Sequence, residues 1–146
     1  MCMLRAAGCD FDVDQFLSAS SIQPTKVYHK GEPHLPGTQP KGPIHPDSGF
    51  NAEVSRKEWD DLAGQIKDAL TFIADHHAEL NRLRFFHGVE GIEIDFPIYL
   101  RIGTNDVAVQ CDRFPAGLAF AAGSHGIALT FTIWPPPNPC GADGTG

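Results

Sequence analysis

From Ile92 to Ile102 the chain reads I-E-I-D-F-P-I-Y-L-R-I, an unbroken alternation of apolar and polar positions. Successive side chains of a strand point to opposite faces. Ile92, Ile94, Phe96, Ile98, Leu100 and Ile102 therefore share one side, and Glu93, Asp95, Pro97, Tyr99 and Arg101 the other. The pattern predicts a sheet with one buried and one solvated face. A second alternation, Ile127, Leu129, Phe131 and Ile133 against Ala128, Thr130, Thr132 and Trp134, predicts a last strand of the same kind. A third, Val107, Val109 and Cys111 against Ala108 and Gln110, follows the turn Gly103-Thr-Asn-Asp106 and predicts an antiparallel partner for the first. Shorter strands are expected over residues 2–8, 25–30, with Val27 buried, and 50–54.

Helical periodicity fills the intervals. Phe11 to Ser20 carries start signals: Asp12 as N-cap, Gln15 at N3, and Phe11 and Phe16 in staple positions. Pro24 stops that helix. Ser55-Arg-Lys-Glu58 reads as a capping box, with Val54 and Trp59 as its staple. Behind it Trp59, Leu62, Ile66, Leu70, Ile73, His77, Leu80 and Leu83 form one apolar stripe. A helix from Arg56 to Phe86 would be roughly 40–45 Å long, and the Ile92–Ile102 strand roughly 36 Å, so the one is expected to lie along the other. Gly88 supplies the stop. A short helix with Pro115 in its first turn, holding Leu118 and Phe120, ends at Gly123-Ser-His-Gly126.

Between Lys30 and Gly49 five prolines and four glycines exclude a regular element and predict a flexible loop. The order is β-α-β three times over. One-sided strands with amphipathic helices predict an α+β two-layer sandwich: a mostly antiparallel sheet with one long and two short helices packed on one face. Residues 1–134 form a single domain, with 135–146, beginning at Pro135-Pro-Pro137, a disordered C-terminal tail.

Composition narrows the function classes. The chain has 146 residues, enough for one core. Eighteen acids against eleven Lys and Arg give a net charge of -7, which argues against nucleic acid as a partner. It suits solubility or a basic partner. No stretch has the length of a membrane span, and Met1-Cys-Met-Leu-Arg5 lacks signal-peptide order, so a cytoplasmic protein is expected. Cys2, Cys9, Cys111 and Cys140 show no C-x-x-C spacing and are expected as free thiols, Cys111 buried and Cys140 exposed.

Ile22-Gln-Pro-Thr25, Lys30-Gly-Glu32 before a Pro/Gly loop, the long helix after Ser55, Val109-Gln-Cys-Asp-Arg-Phe-Pro115 and Gly126-Ile-Ala-Leu-Thr130 together form a layout. It resembles the bacterial domain of unknown function 4279 family, over about residues 10 to 134. The resemblance implies an α+β fold and a bacterial source, and it carries no catalytic residue across. Small acidic domains of this type often accompany toxins as immunity proteins, an association and not a physical derivation. Trp134 and the proline run depart from the polar or tyrosine ending expected of the family.

The solvated strand face supplies the candidate site: Glu93, Asp95, Tyr99, Arg101 and Trp134 as a partner-binding surface, with Gln110, Thr130 and Thr132 beside them. The same residues also suit a merely solvated face built for cross-strand pairing. His29, His34 and His45 have the spacing H-x4-H-x10-H, which matches no zinc pattern. His76 and His77 diverge by about 100° on a helix, His77 lying on the apolar stripe and His76 pairing with Glu79. His125 in Gly-Ser-His-Gly is no nucleophile elbow. Asp10, Asp12 and Asp14 suit a helix start. No catalytic residue, metal site or cofactor is expected. The first reading is a non-enzymatic protein-binding module, an immunity protein for a basic toxin domain. The alternative is an enzyme or metal binder using the loop histidines with His125, and a third is a scaffold pairing through a sheet edge, with Pro97 at a bend or edge.

Overall fold

The computed structural model describes residues 1–103 and 106–137. A five-stranded sheet takes strands β1 (Cys2–Gly8), β2 (Pro24–Tyr28), β5 (Ser48–Ser55), β6 (Gly91–Tyr99) and β7 (Ala128–Trp134) in the order β2-β5-β1-β6-β7. A two-stranded ribbon pairs β3 (Pro33–Leu35) with β4 (Gln39–Ile44). Four helices, α1 (Val13–Ser18), α2 (Leu62–Asp75), α3 (His77–Arg84) and α4 (Ala116–Ser124), put buried residues into one core. The α+β sandwich predicted from the alternation is the observed fold.

The inner faces of the strands make the floor of that core. Leu4 and Ala6 of β1, Phe50 of β5, and Ile94 and Phe96 of β6 are fully buried. Phe16 of α1 stacks on Phe50 at 5.8 Å and meets Phe86 edge-on at 5.4 Å. The first helix starts as its sequence dictates. Asp12 accepts a hydrogen bond from the Gln15 amide at 2.9 Å, and the Phe11 and Phe16 rings lie 6.1 Å apart.

β6 pairs with β1 antiparallel on one side and with β7 parallel on the other. A parallel neighbour needs a crossover, and α4 provides it. Both flanks of β6 are thus occupied, so the expected hairpin strand Val107–Cys111 has no edge of β6 to pair with. It is irregular, with Val109 78% exposed and Cys111 exposed rather than buried. β6 also ends earlier than the alternation, at Tyr99, leaving Leu100 and Ile102 exposed. Pro97 lies beyond the last β1 partner, Met3 opposite Asp95, so its missing N–H interrupts no ladder on that side.

The region 30–49 is not the structureless loop its prolines suggested. Its two-stranded ribbon pairs Pro33 with Ile44 and Leu35 with Gln39 through an irregular register. A ribbon with no outer neighbours needs few backbone donors, so prolines are tolerated on it. Its neck is closed by the Gly31 amide to the His45 carbonyl and the His45 amide to the Glu32 carbonyl, both 2.8 Å.

The long helix also differs. Ser55 does not cap it: this residue ends β5, and its buried hydroxyl donates to Asp68 at 2.6 Å. Asp61 is the cap, accepting from the Gly64 amide at 2.8 Å. The helix breaks at His76, where the Ser21 hydroxyl meets the ring. Its buried face is turned relative to the apolar stripe. Gln65, Ala69 and Ile73 point inward, while Leu70 and His77 are exposed. Gln65 is fully buried because its amide nitrogen donates to the carbonyls of Glu58 and Pro97, each at 3.0 Å.

Thr104 and Asn105 of the expected turn, residues 138–146 of the expected disordered tail, and Cys140 lie outside the described residues. Pro135 to Pro137 are exposed and irregular.

Candidate functional site

The outer sheet face is built from the residues that alternate with the core. Arg5, in the middle of β1, lies opposite Glu93 of β6 and two pairs from Asp95 on the same face. Its guanidinium donates to Glu93 at 3.3 Å and to Asp95 at 2.8 Å. The parallel strand beyond completes the pattern: Thr130 donates to Glu93 at 3.2 Å and Thr132 to Asp95 at 2.6 Å. Asp95 is only 4% exposed. Charge-assisted hydrogen bonds from a cation and a hydroxyl make that burial tolerable. Glu93 and Asp95 therefore hold the sheet together, and their charge is answered within the molecule.

Beside this network runs a shallow groove of about 270 Å³, lined by Arg5, Ala7, Tyr28, Gly91, Ile92, Glu93 and Ala128. Small residues make its floor. Tyr28 of edge strand β2 lies over Gly49, where a Cβ would stand 2.5 Å from the phenol oxygen. His45 stacks on Tyr28 at 4.4 Å, and His34 packs on His45 at 4.2 Å. Two histidines of the ribbon and its neck thus join Tyr28 of β2 in a wall of three rings along one margin of the face. Burial raises the Tyr28 phenol, with the Asp47 carboxylate adding to it, so the hydroxyl remains a donor. Desolvation lowers His45, with His34 and Lys26 adding positive charge nearby, which favours a neutral ring in the stack.

The far end of the face is aromatic. Trp59 stacks on Trp134 at 5.4 Å and meets Tyr99 at 5.2 Å. Arg101 lies past the end of β6 and pairs with Asp112 at 2.5 Å; its amide donates to the Gln110 side chain at 2.8 Å. The five residues singled out by alternation thus fall into three groups. Glu93 and Asp95 share the Arg5 network, Tyr99 and Trp134 share the Trp59 cluster, and Arg101 belongs to the following loop. Arg5, Tyr28 and Trp59 are the members sequence reasoning missed. A lone charge at an alternating position in C-M-L-R-A-A-G was the available sign for Arg5; Trp59 was assigned to a helix that begins later.

The histidines do not converge. His29 bonds Asp14 at 2.9 Å and Glu32 at 3.2 Å, tying the end of β2 to α1. His125 is buried at the end of α4, with its Nε2 2.9 Å from Nδ1 of His77 on α3. It lies in the helical layer, away from His34 and His45, so the grouping of loop histidines with His125 is not assembled. His76 reaches Ser21, which also donates to Glu79. Among the described residues no three His, Cys, Asp or Glu side chains are placed to hold a metal ion. Nor is any described helix long and apolar enough to cross a membrane.

A helix-backed sheet with an open outer face, walled by rings on one margin and aromatic at one end, defines a small one-sided α+β domain. The chain belongs to the family described as a domain of unknown function, DUF4279, whose pattern matches residues 1–134. No curated protein matches it, and no solved structure does. The match includes β1, and with it Arg5.

Proposed function

We propose that this domain is a non-enzymatic protein-binding module that docks its partner on the outer sheet face, and that the partner is a basic toxin domain neutralised by that contact. The observation that carries the reading is the bare outer face. Among the described residues, no layer covers the groove between the Tyr28–His45–His34 wall and the exposed Trp134. Tyr, Trp and Arg are the side chains that most often dominate binding energy, and Tyr28, Trp134 and Arg5 all lie on this face. The acid excess that would steer a basic partner belongs to the whole molecule, at -7. Glu93 and Asp95 serve instead to hold the strands of the face together.

The test is affinity capture from the producing cells with the wild-type domain and with a Tyr28→Ala/Trp134→Ala variant in parallel. A basic protein retained by the wild type, released by the double variant, and losing its toxicity when mixed stoichiometrically with the domain is the expected result. Equal retention by both proteins would move the site off this face. No retained partner, or one whose activity is untouched, would remove the reading.

A further inference from the structure

The two margins of the five-stranded sheet are treated very differently. β2, at one end, opens with Pro24, carries Lys26 in its middle, has a register shift between Pro24 and Lys26, and is flanked by the ribbon's ring wall. Proline, lysine and irregular register are the devices that keep an edge strand from pairing with another chain. β7, at the other end, has none of them. Ala128-Leu-Thr-Phe-Thr-Ile-Trp134 contains no charge, proline or glycine, and its ladder with β6 is regular across all seven residues. Among the described residues nothing donates to or accepts from its free edge. Ile133 is 56% exposed and Trp134 46%. A long, uncharged, strongly β-forming edge left open invites another strand.

We infer that this edge is the contact between two copies of the chain, paired antiparallel about a two-fold axis through Phe131. The sequence of β7 is complementary to itself in that register. Thr130 meets the partner's Thr132 on the outer face, and Leu129 meets the partner's Ile133 on the inner face. Trp134 falls opposite the partner's Ala128, the one residue of β7 small enough to leave room for an indole. Pairs of β-branched and aromatic side chains directly opposite one another stabilise a ladder. The two most exposed large apolar residues of the strand are those that gain partners. Two chains of charge -7 repel overall, so a shared contact has to be an uncharged strip, and β7 is one.

An axis normal to the sheet keeps like faces together, as an isologous interface requires. Two five-stranded sheets then become one continuous sheet. α4 packs next to β7 on the inner side, where it can add to the strand-edge contact towards the roughly 800 Å² per partner of a stable interface. Both outer faces look the same way, so the dimer presents two copies of the groove side by side. The inference stands independently of what docks there.

Sedimentation of the full chain over a range of concentrations tests it, with folding of each variant checked by circular dichroism. The wild type is expected to sediment at twice the monomer mass. Ile133→Lys, at an exposed position, should weaken the dimer at least tenfold without unfolding the chain. Leu129→Glu should do the same, and mixing the two variants should restore a heterodimer, because the introduced ammonium and carboxylate fall opposite each other across the axis. Tyr28→Ala, on the docking face, should leave the dimer unchanged. If Leu129→Glu fails to fold, amide exchange replaces it: the β7 amides of the wild type should lose protection on dilution. A chain that stays monomeric at every concentration overturns the inference, and so does a dimer indifferent to Ile133→Lys.

Discussion

Arg5 is the residue on which the outer face turns. It is half-exposed, yet it neutralises Asp95, which is 4% exposed, and steadies Glu93 beside it. Removing one partner of a buried ion pair leaves an unanswered charge in a poorly solvated place. Because the Arg5 side chain is 44% exposed, water screens part of that loss. Arg5→Ala should therefore cost about 2 kcal/mol, below what a fully buried pair loses. Urea unfolding measures it, and Arg5→Ala/Asp95→Asn should recover most of the loss; an additive double variant would mean that the two residues do not act as a pair. The same carboxylate bears on Cys2. Burial, and then the nearby Asp95 charge, push the Cys2 thiol up to about 12. A thiol so placed is protonated and unreactive at neutral pH, whereas Cys9 and Cys111 are exposed. Iodoacetamide should alkylate Cys9 and Cys111 in the native protein, and Cys2 only after denaturation; peptide mass spectrometry distinguishes them. Native labelling of Cys2 would show that β1 opens.

Between elements, what the sequence discloses is what neighbours in the chain decide. Asp12 caps α1 because its partner, the Gln15 amide, is three residues away. Ser55 carried the same signal but ends β5 instead: its hydroxyl donates to the distant Asp68 and accepts from the Lys57 amide, while the helix starts later under the Asp61 cap. The Ile92, Ile94, Phe96 and Ile98 face was legible because burial on one side of a strand imposes the alternation. Which strands flank it was not: β1 and β7 come from opposite ends of the chain, and the alternation of Val107 to Cys111 was as good a candidate until both flanks were filled. Gln65 in the core was illegible, since its partners are two backbone carbonyls. His29 shows how such links respond to pH. Hydrogen bonds to Asp14 and then Glu32 raise its pKa above the ordinary 6.5. Glu32 is lowered, by the His29 amide and then its ring. A raised histidine stabilises the fold fully below about 6.5 and loses that contribution as pH climbs through its folded value. A lowered glutamate stabilises above about 4.5 and loses its share as pH falls through its folded value. The stability difference between wild type and His29→Gln should therefore be largest at about pH 5–6 and fade towards alkaline pH. Urea midpoints across pH check this, and a difference that persists at alkaline pH would assign His29 a packing role. Gly88, expected to stop the long helix, instead lies four residues beyond the end of α3 at Arg84; it has a φ of +83°, and a Cβ on it would stand 2.1 Å from the Asp10 carbonyl oxygen. Strain and clash together place Gly88→Ala at about 3 kcal/mol of lost stability, read as a lower urea midpoint. A near-neutral result would mean that the β1–α1 turn can shift aside.

At the scale of the molecule, the chain divides into a core that folds and a ribbon that projects from it. The five-stranded sheet depends on its first strand. β1 lies at its centre, joining the β2–β5 pair to the β6–β7 pair, so nothing in the sheet is complete without residues 2–8. The ribbon is the opposite case. It pairs only with itself, Leu35 and Ile44 are more than half exposed, and its neck is closed by reciprocal bonds between residues 31–32 and His45. Chain ends held that close need only a tight turn to join them, and two-residue turns of the Asn-Gly kind suit an antiparallel neck. Replacing residues 33–44 by Asn-Gly should therefore leave a cooperatively folding domain, because no side chain of the buried core is removed. The variant loses His34 and leaves His45 to stack on Tyr28 alone. If the ring wall is part of the docking surface, partner affinity should fall at least tenfold while the urea midpoint moves little. Calorimetric titration and urea unfolding on the same preparation separate the two effects. A variant that folds and binds as tightly as the wild type would confine the contact to the sheet itself, from Arg5 to Trp134. One that no longer unfolds cooperatively would show that the ribbon, for all its exposure, is needed to hold β2 on the sheet.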